Sequence, residues 1–148
     1  NLTTGVALAD GTDSLSGIER VQATAYDDTL VGSATDDVFY AGAGNDSIAA
    51  AAGDNKIYAG DGADSLLGGA GSDWLDGGAG NDTLDGGVGA DILSGGDGND
   101  TINLAGRNAA HTIFVEGGAG DDNIMGHDGF DIIHIDDLLP LFRRQQHH

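Results

Sequence analysis

Large apolar residues return along this chain at a fixed interval of nine. They are Val21, Leu30, Phe39, Ile48, Ile57, Leu66, Leu75, Leu84, Leu93 and Ile102. Each is the centre of a triplet that is too short for a helix, and the neighbours are often polar. A polar–apolar–polar triplet is typical of a half-buried strand. We therefore expect a short strand at each return, with the central residue buried.

The six residues between these triplets are rich in glycine and aspartate. Four consecutive copies between Gly68 and Asn103 read GGAGSDWLD, GGAGNDTLD, GGVGADILS and GGDGNDTIN. Glycines at positions one, two and four of this repeat permit backbone angles that predict a tight turn. Turn and strand alternate, so the chain returns over itself every eighteen residues. The pattern predicts an all-β fold, a right-handed parallel β-roll whose two sheets enclose the apolar position eight.

Position six is acidic in nearly every copy, and residues eighteen apart should stack on the same edge of the roll. The first edge then carries Asp28, Asp46, Asp64, Asp82 and Asp100, and the second carries Glu19, Asp37, Asn55, Asp73 and Asp91. Carboxylates stacked within ~5 Å repel one another. Calcium removes this conflict, because it takes about six to eight oxygen ligands from carboxylates and backbone carbonyls.

The sequence therefore predicts a set of calcium ligands along both edges. The carboxylates are Asp28, Asp46, Asp64, Asp82, Asp100, Asp37, Asp73, Asp91 and Asp122. The backbone carbonyls are those near Gly60, Gly62, Gly69, Gly71, Gly78, Gly80, Gly87, Gly89, Gly96 and Gly98. Asn55 is neutral, so we expect weaker binding in its turn. We do not expect the neighbouring Asp54 to turn inward and compensate.

This repeat resembles the haemolysin-type (RTX) calcium-binding nonapeptide repeat over most of the chain. The resemblance is most specific in the four copies above and in GGAGDDNIM. It is weaker in ATAYDDTLV and GSATDDVFY, which keep the aspartate but lose the glycines. It implies several bound calcium ions and folding that depends on calcium. It also implies a place within a larger bacterial protein, secreted or on the cell surface, that leaves the cell through type I secretion machinery.

Composition and charge agree with calcium binding and exclude other classes. Asp and Glu number 25 against 5 Lys and Arg, which gives a net charge of −20, and there is no cysteine. Such acidity excludes a nucleic-acid partner, because phosphate binding needs a basic surface. No apolar stretch is long enough for a membrane span. Neither a His-Glu-x-x-His nor a Gly-x-Ser-x-Gly motif is present, so we expect no catalytic activity in this chain, although a parent protein can be an enzyme or toxin.

The repeat frame suggests three segments. Residues 1–22 form a lead-in, residues 23–134 the roll, and residues 135–148 an apolar capping segment that ends in histidines, which are natural or a tag remnant. The interval from Ile102 to Ile124 is twenty-two, so we expect a four-residue insertion near 103–110. Ile113 then stands at position six, and that turn should bind no calcium. The chain begins at Asn1 without Met, so we expect it to be part of a larger protein.

Positions seven and nine should point outward, and the two sheets differ there. One sheet shows serine and threonine, whereas the other carries a face that we call the docking face: Tyr40, Tyr58, Trp74, Ile92 and Phe114. Contiguous exposed apolar residues usually bind something. Two interpretations stay open. Either the C-terminal segment or an adjacent domain covers this face, or the chain is an adhesion module that docks a glycan or a protein.

Overall fold

The computed structural model describes residues 12–14, 20–104, 113–126 and 131–134, and this part of the chain consists of strands and turns without a helix. The strands are β1 (Thr12–Ser14), β2 (Arg20–Gln22), β3 (Thr29–Val31), β4 (Val38–Ala43), β5 (Ser47–Ala49), β6 (Lys56–Asp61), β7 (Ser65–Ala70), β8 (Trp74–Ala79), β9 (Thr83–Val88), β10 (Ile92–Asp97), β11 (Thr101–Asn103), β12 (Ile113–Ala119), β13 (Asn123–Met125) and β14 (Asp131–His134). Among these described residues, none lies in a helix of the length and apolarity that crossing a membrane requires.

Successive strands belong to opposite sheets. The odd-numbered strands form one seven-stranded parallel sheet and the even-numbered strands form the other, each in chain order. Leu66 pairs with Leu84, and Ile57 pairs with Leu75, so each coil places the next repeat eighteen residues on in register. The predicted parallel β-roll is confirmed.

The predicted apolar position forms the core between the two sheets. All ten predicted residues are at most 2% exposed, and Phe39, Leu75 and Leu93 are fully buried. Ala41, Ala50 and Ala59, which stand at position one, are buried beside them. The strands are therefore longer than the predicted triplets. Seven of them include the first positions of the turn, where Gly60 pairs with Gly78 across the ladder.

Glycine at position two makes this extension possible. Gly78 has φ of 102°, a conformation that costs an L-residue energy because of its Cβ atom. The carbonyl oxygen of Gly60 lies where a Cβ atom on Gly78 would stand. Turns with this backbone path therefore favour glycine at position two, for both the backbone angle and the close approach of two coils.

The frame shifts at two places. Ile92 pairs with Phe114 and Ile102 with Ile124, a step of twenty-two residues that confirms the four-residue insertion. The insertion and its turn fall among residues 105–112, outside the described part of the chain. At the other end, Thr12 pairs with Thr29, one residue short of the regular step. The sheets therefore begin inside the predicted lead-in, and the C-terminal segment beyond His134 lies outside the described residues.

Candidate metal centre

Position six of most turns is tied to position six of the turn one coil later by a hydrogen bond. On the first edge, the N–H of Asp28 donates to Oδ1 of Asp46 at 2.7 Å, and the N–H of Asp46 donates to Oδ1 of Asp64 at 2.7 Å. The same bond continues to Asp82, Asp100 and Asp122, with distances of 2.8, 2.8 and 2.9 Å. The predicted first edge is therefore one continuous column, and the structure brings its residues together.

The second edge has the same construction. The N–H groups of Asp37, Asn55 and Asp73 donate to side-chain oxygens of Asn55, Asp73 and Asp91 at 2.9, 2.8 and 2.9 Å. These residues are at most 2% exposed, and Asp28, at 5%, is the most exposed of those on the first edge up to Asp100. From Asp46 onward, one side-chain oxygen of each of these residues thus accepts the backbone N–H of the residue one coil earlier.

In most turns that carry an aspartate at position six, the second carboxylate oxygen has no hydrogen-bond partner. In Asp46, Asp64, Asp73, Asp82 and Asp100, Oδ2 is buried and has no hydrogen-bond partner. A buried carboxylate oxygen without a partner is costly, and native proteins rarely leave one so. A cation is the partner that an anionic oxygen prefers. These orphaned oxygens fit the calcium ligands that the sequence predicts.

In the later turns, the glycine at position one lies against this oxygen. A Cβ atom on Gly68 would lie 2.6 Å from Oδ2 of Asp73 and 2.6 Å from the carbonyl oxygen of Gly86 in the next coil. A carboxylate oxygen and a backbone carbonyl therefore lie together beside the Cα atom of this glycine. Oxygens of these two kinds are those that calcium binds in proteins.

Burial destabilises the ionised form of several aspartates in the two columns. Burial raises the pKa of Asp73 and of Asp82 to about 6, a shift that backbone hydrogen bonds oppose and neighbouring aspartates add to. Burial likewise raises the pKa of Asp46, Asp64 and Asp100. Each of these carboxylates is stabilised when a proton or a cation balances its charge.

Backbone oxygens must supply much of any coordination shell. Among the residues that the structure describes, no three acidic or histidine side chains converge on one point. The predicted carbonyls near positions two and four are stacked, with the oxygens of Gly60 and Gly62 beneath Gly78 and Gly80. Which of them ligate calcium stays a prediction.

Two turns of the N-terminal half satisfy this oxygen with protein groups, which the sequence reading missed, and a third, whose weaker binding was predicted, has an amide in its place. The N–H and Oγ1 of Thr24 both donate to Oδ2 of Asp28 at 2.9 Å. The N–H and Oγ of Ser33 donate to Oδ2 of Asp37 at 2.8 and 3.1 Å. In the third turn, Nδ2 of Asn55 donates to the carbonyl oxygen of Gly53 at 3.0 Å. The sequence signal was a hydroxyl at position two, four residues before the aspartate.

Position five carries a second ladder that the sequence reading also missed. Asn45 accepts from the N–H of Ala63 at 2.9 Å, and Asp54 accepts from the N–H of Ser72 at 2.7 Å. Both side chains are exposed. Asp54 therefore points along the outside of the roll and not into the site, as predicted. The recurrence of Asn and Asp at this position was the available signal.

The structure also brings the docking face together on the even-numbered sheet. Trp74 is 42% exposed, and Ile92 and Phe114 are each 39% exposed on the two following strands. The rings of Tyr40 and Tyr58 stack with centroids 5.0 Å apart, and the Arg20 guanidinium lies 4.9 Å from the Tyr40 centroid. The face thus consists of two groups on one sheet, and Lys56 and Asp76 lie between Tyr58 and Trp74 in the ladder.

Comparison with known proteins agrees with the geometry. The RTX calcium-binding nonapeptide repeat matches in four copies, over residues 10–48, 40–75, 67–102 and 114–134. Neither a curated protein nor a solved structure matches the chain. Repeats of this family bind several calcium ions and are typical of secreted bacterial proteins. The matched copies cover more than half of the sequence, and the chain therefore belongs to the RTX calcium-binding nonapeptide repeat family.

Proposed function

We propose that this chain is a calcium-triggered folding element of a larger secreted protein. The observation that supports the proposal is the set of buried, unpartnered Oδ2 atoms on both edges. Calcium supplies the positive charge that these oxygens otherwise lack. Each aspartate with an orphaned Oδ2 contacts the coil before it through Oδ1, so a complete site exists only when two coils are stacked. Binding and folding then become a single event.

The net charge of the chain indicates that it folds when calcium binds and expands when calcium is absent. With a net charge of −20, the chain without calcium is expected to stay expanded. Extracellular calcium modules bind at roughly 10⁻⁴ to 10⁻³ M, so a site of this kind fills outside a cell and not in the cytosol. The chain would pass the type I secretion machinery unfolded, fold outside and stabilise the protein to which it belongs. We assign it no catalytic role.

The experiment compares the chain in calcium and in chelator. Circular dichroism and small-angle X-ray scattering should show an expanded chain in EDTA, and a compact β-rich chain at millimolar calcium. Magnesium at the same concentration should substitute poorly, because it prefers rigid octahedral sites and keeps its waters. The same β spectrum in EDTA and in calcium would rule out calcium-triggered folding.

The docking face supports a second function, the binding of residues 135–142 of this chain. β14 ends at His134 in the sheet that carries the face, three strands from Trp74. That separation is roughly 14 Å at ~4.8 Å per strand, and residues 135–142 reach roughly 26 Å when extended. The segment contributes Leu138, Leu139, Leu141 and Phe142. Arg143 and Arg144 follow, and the face carries Asp76 and Glu116.

Fluorescence of Trp74, which is the single tryptophan, tests this occupant. In the calcium-bound chain, acrylamide should quench Trp74 weakly, and removal of residues 135–148 should make quenching strong. A double substitution of Leu139→Ser and Leu141→Ser should act like the truncation. Equal, strong quenching with and without the segment would leave the face open, and would favour a glycan or a separate protein as the occupant.

A further inference from the structure

We propose that three N-terminal turns, 23–28, 32–37 and 50–55, take no calcium because protein groups occupy the position of the ion. The proposal separates them from turns such as 77–82, whose aspartates have an orphaned oxygen. It concerns where calcium binds, and it holds whether or not calcium drives folding. It can therefore fail independently of the function proposed above.

The first two turns are closed to calcium by a side-chain hydroxyl that hydrogen-bonds to the aspartate. Thr24 and Ser33 stand at position two, where the later turns mostly carry glycine, and each places two donors on Oδ2 of its own aspartate. The hydroxyls are held in turn by further bonds. Thr35 donates its N–H to Oγ of Ser33 at 3.3 Å, and Tyr26 donates its N–H to Oγ1 of Thr24 at 3.3 Å. The oxygen that is orphaned in Asp82 is thus doubly satisfied here.

Backbone conformation separates the first two of these turns from the later ones. From Gly42 onward, glycines with positive φ recur at positions two and four of the turns. In turns 23–28 and 32–37 these positions hold Thr24, Tyr26, Ser33 and Thr35, none of which has positive φ. Oδ1 of Asp37 is an exception, because it is buried and has no hydrogen-bond partner among the described residues. The two turns therefore have a different backbone path as well as different donors.

The third turn is closed by an amide. Asn55 keeps the column intact, because its Oδ1 accepts the N–H of Asp37 at 2.9 Å. Its Nδ2 takes the place of the second carboxylate oxygen and donates to the Gly53 carbonyl. A donor directed at a carbonyl removes that oxygen as a ligand, and the neutral amide removes the anionic charge. The turn is complete without a metal.

The test counts bound calcium by equilibrium dialysis and calorimetry on the full chain. Thr24→Val and Ser33→Ala should leave the number of ions unchanged, whereas Asp82→Asn, the control, should lower it. Asn55→Asp should raise the number by one. The double variant Thr24→Gly/Tyr26→Gly, which turns ATAYDD into AGAGDD and so imitates the AGAGND of residues 41–46, should also gain an ion.

The outcomes separate the alternatives. Loss of an ion in Thr24→Val or Ser33→Ala would overturn the proposal, because it would mean that the hydroxyls assist a metal site. An unchanged count in a folded Asn55→Asp variant would also overturn it. If removal of a hydroxyl prevents folding in calcium, Asn55→Asp still decides, because that change is nearly isosteric. Circular dichroism in calcium establishes which variants are folded.

Discussion

At the scale of the single residue, the aspartate at position six performs two separate tasks with its two oxygens. Oδ1 of Asp82 accepts the N–H of Asp64 and so joins two coils. Oδ2 of Asp82 is buried without a partner and is the atom available to calcium. Asparagine can replace the first function, as Asn55 does, but not the second. This division explains how a column can stay regular while calcium binding varies along it.

Asp82→Ala should therefore disturb more than one turn. It removes a calcium ligand and leaves the N–H of Asp64 unsatisfied, which costs about 1–3 kcal/mol on its own. We expect titration calorimetry to show fewer bound ions and weaker binding of the rest. Asp54→Ala is the matched control, since Asp54 is exposed and accepts only the N–H of Ser72 among the bonds described. Equal calcium losses in both variants would contradict the assignment of position six.

At the scale of the element, the turns differ in how well their residues suit the backbone conformation. Ala51 has φ of 82° and is the one non-glycine residue with positive φ in the described part of the chain. The left-handed conformation costs an L-residue roughly 1–2 kcal/mol. It occurs at position two of turn 50–55, where most later turns have glycine. Turn 50–55 is thus strained in its backbone as well as closed by Asn55.

Ala51→Gly should relieve this strain. We expect a gain of about 0.5–1 kcal/mol in the free energy of unfolding in saturating calcium, after allowing for the greater freedom of glycine in the unfolded chain. Denaturant titration measures it. Ala52→Gly is the control, because Ala52 lacks positive φ and should lose stability by a similar amount. A destabilised Ala51→Gly variant would show that the left-handed turn carries no strain.

The nine-residue period of the sequence predicted most of the fold and part of the candidate metal site. It placed Leu75 inside, Trp74 outside and Asp82 in a column with Asp64 and Asp100. It could not reveal that the strands continue into the glycines, because that depends on how closely two coils approach. It also treated turn 23–28 as a poor copy of the repeat. The hydrogen bonds from Thr24 to Asp28 are a local alternative that no repeat pattern encodes.

At the scale of the whole molecule, the two acidic columns make the roll sensitive to pH. Burial raises the pKa of Asp73 and Asp82 to about 6 in the folded chain, above the ordinary value of about 4. The folded chain without calcium therefore binds protons that the unfolded chain has released. Its stability is highest below the unfolded pKa and is lost as the pH rises through about 6.

In EDTA, lowering the pH from 7.5 to 5 should thus increase β structure. With calcium present the sign reverses, since protons compete for the same carboxylates, and the calcium concentration at the folding midpoint should rise below about pH 6. Circular dichroism across a grid of pH and calcium concentration measures both. Loss of β structure in EDTA on acidification would mean that the buried carboxylates are not the groups that oppose folding.

Leu66 and Leu84 illustrate the regular step of eighteen residues. Because of this step, the length of the roll is proportional to its number of repeats. One added copy of residues 68–85 would bring one strand to each sheet, one more acidic position to each edge, and about 4.8 Å of length. Length and calcium capacity therefore cannot change separately unless a turn is rewritten, as in the turn of Asn55. A chain of this design can set the distance between whatever lies at its two ends by the number of repeats that it contains.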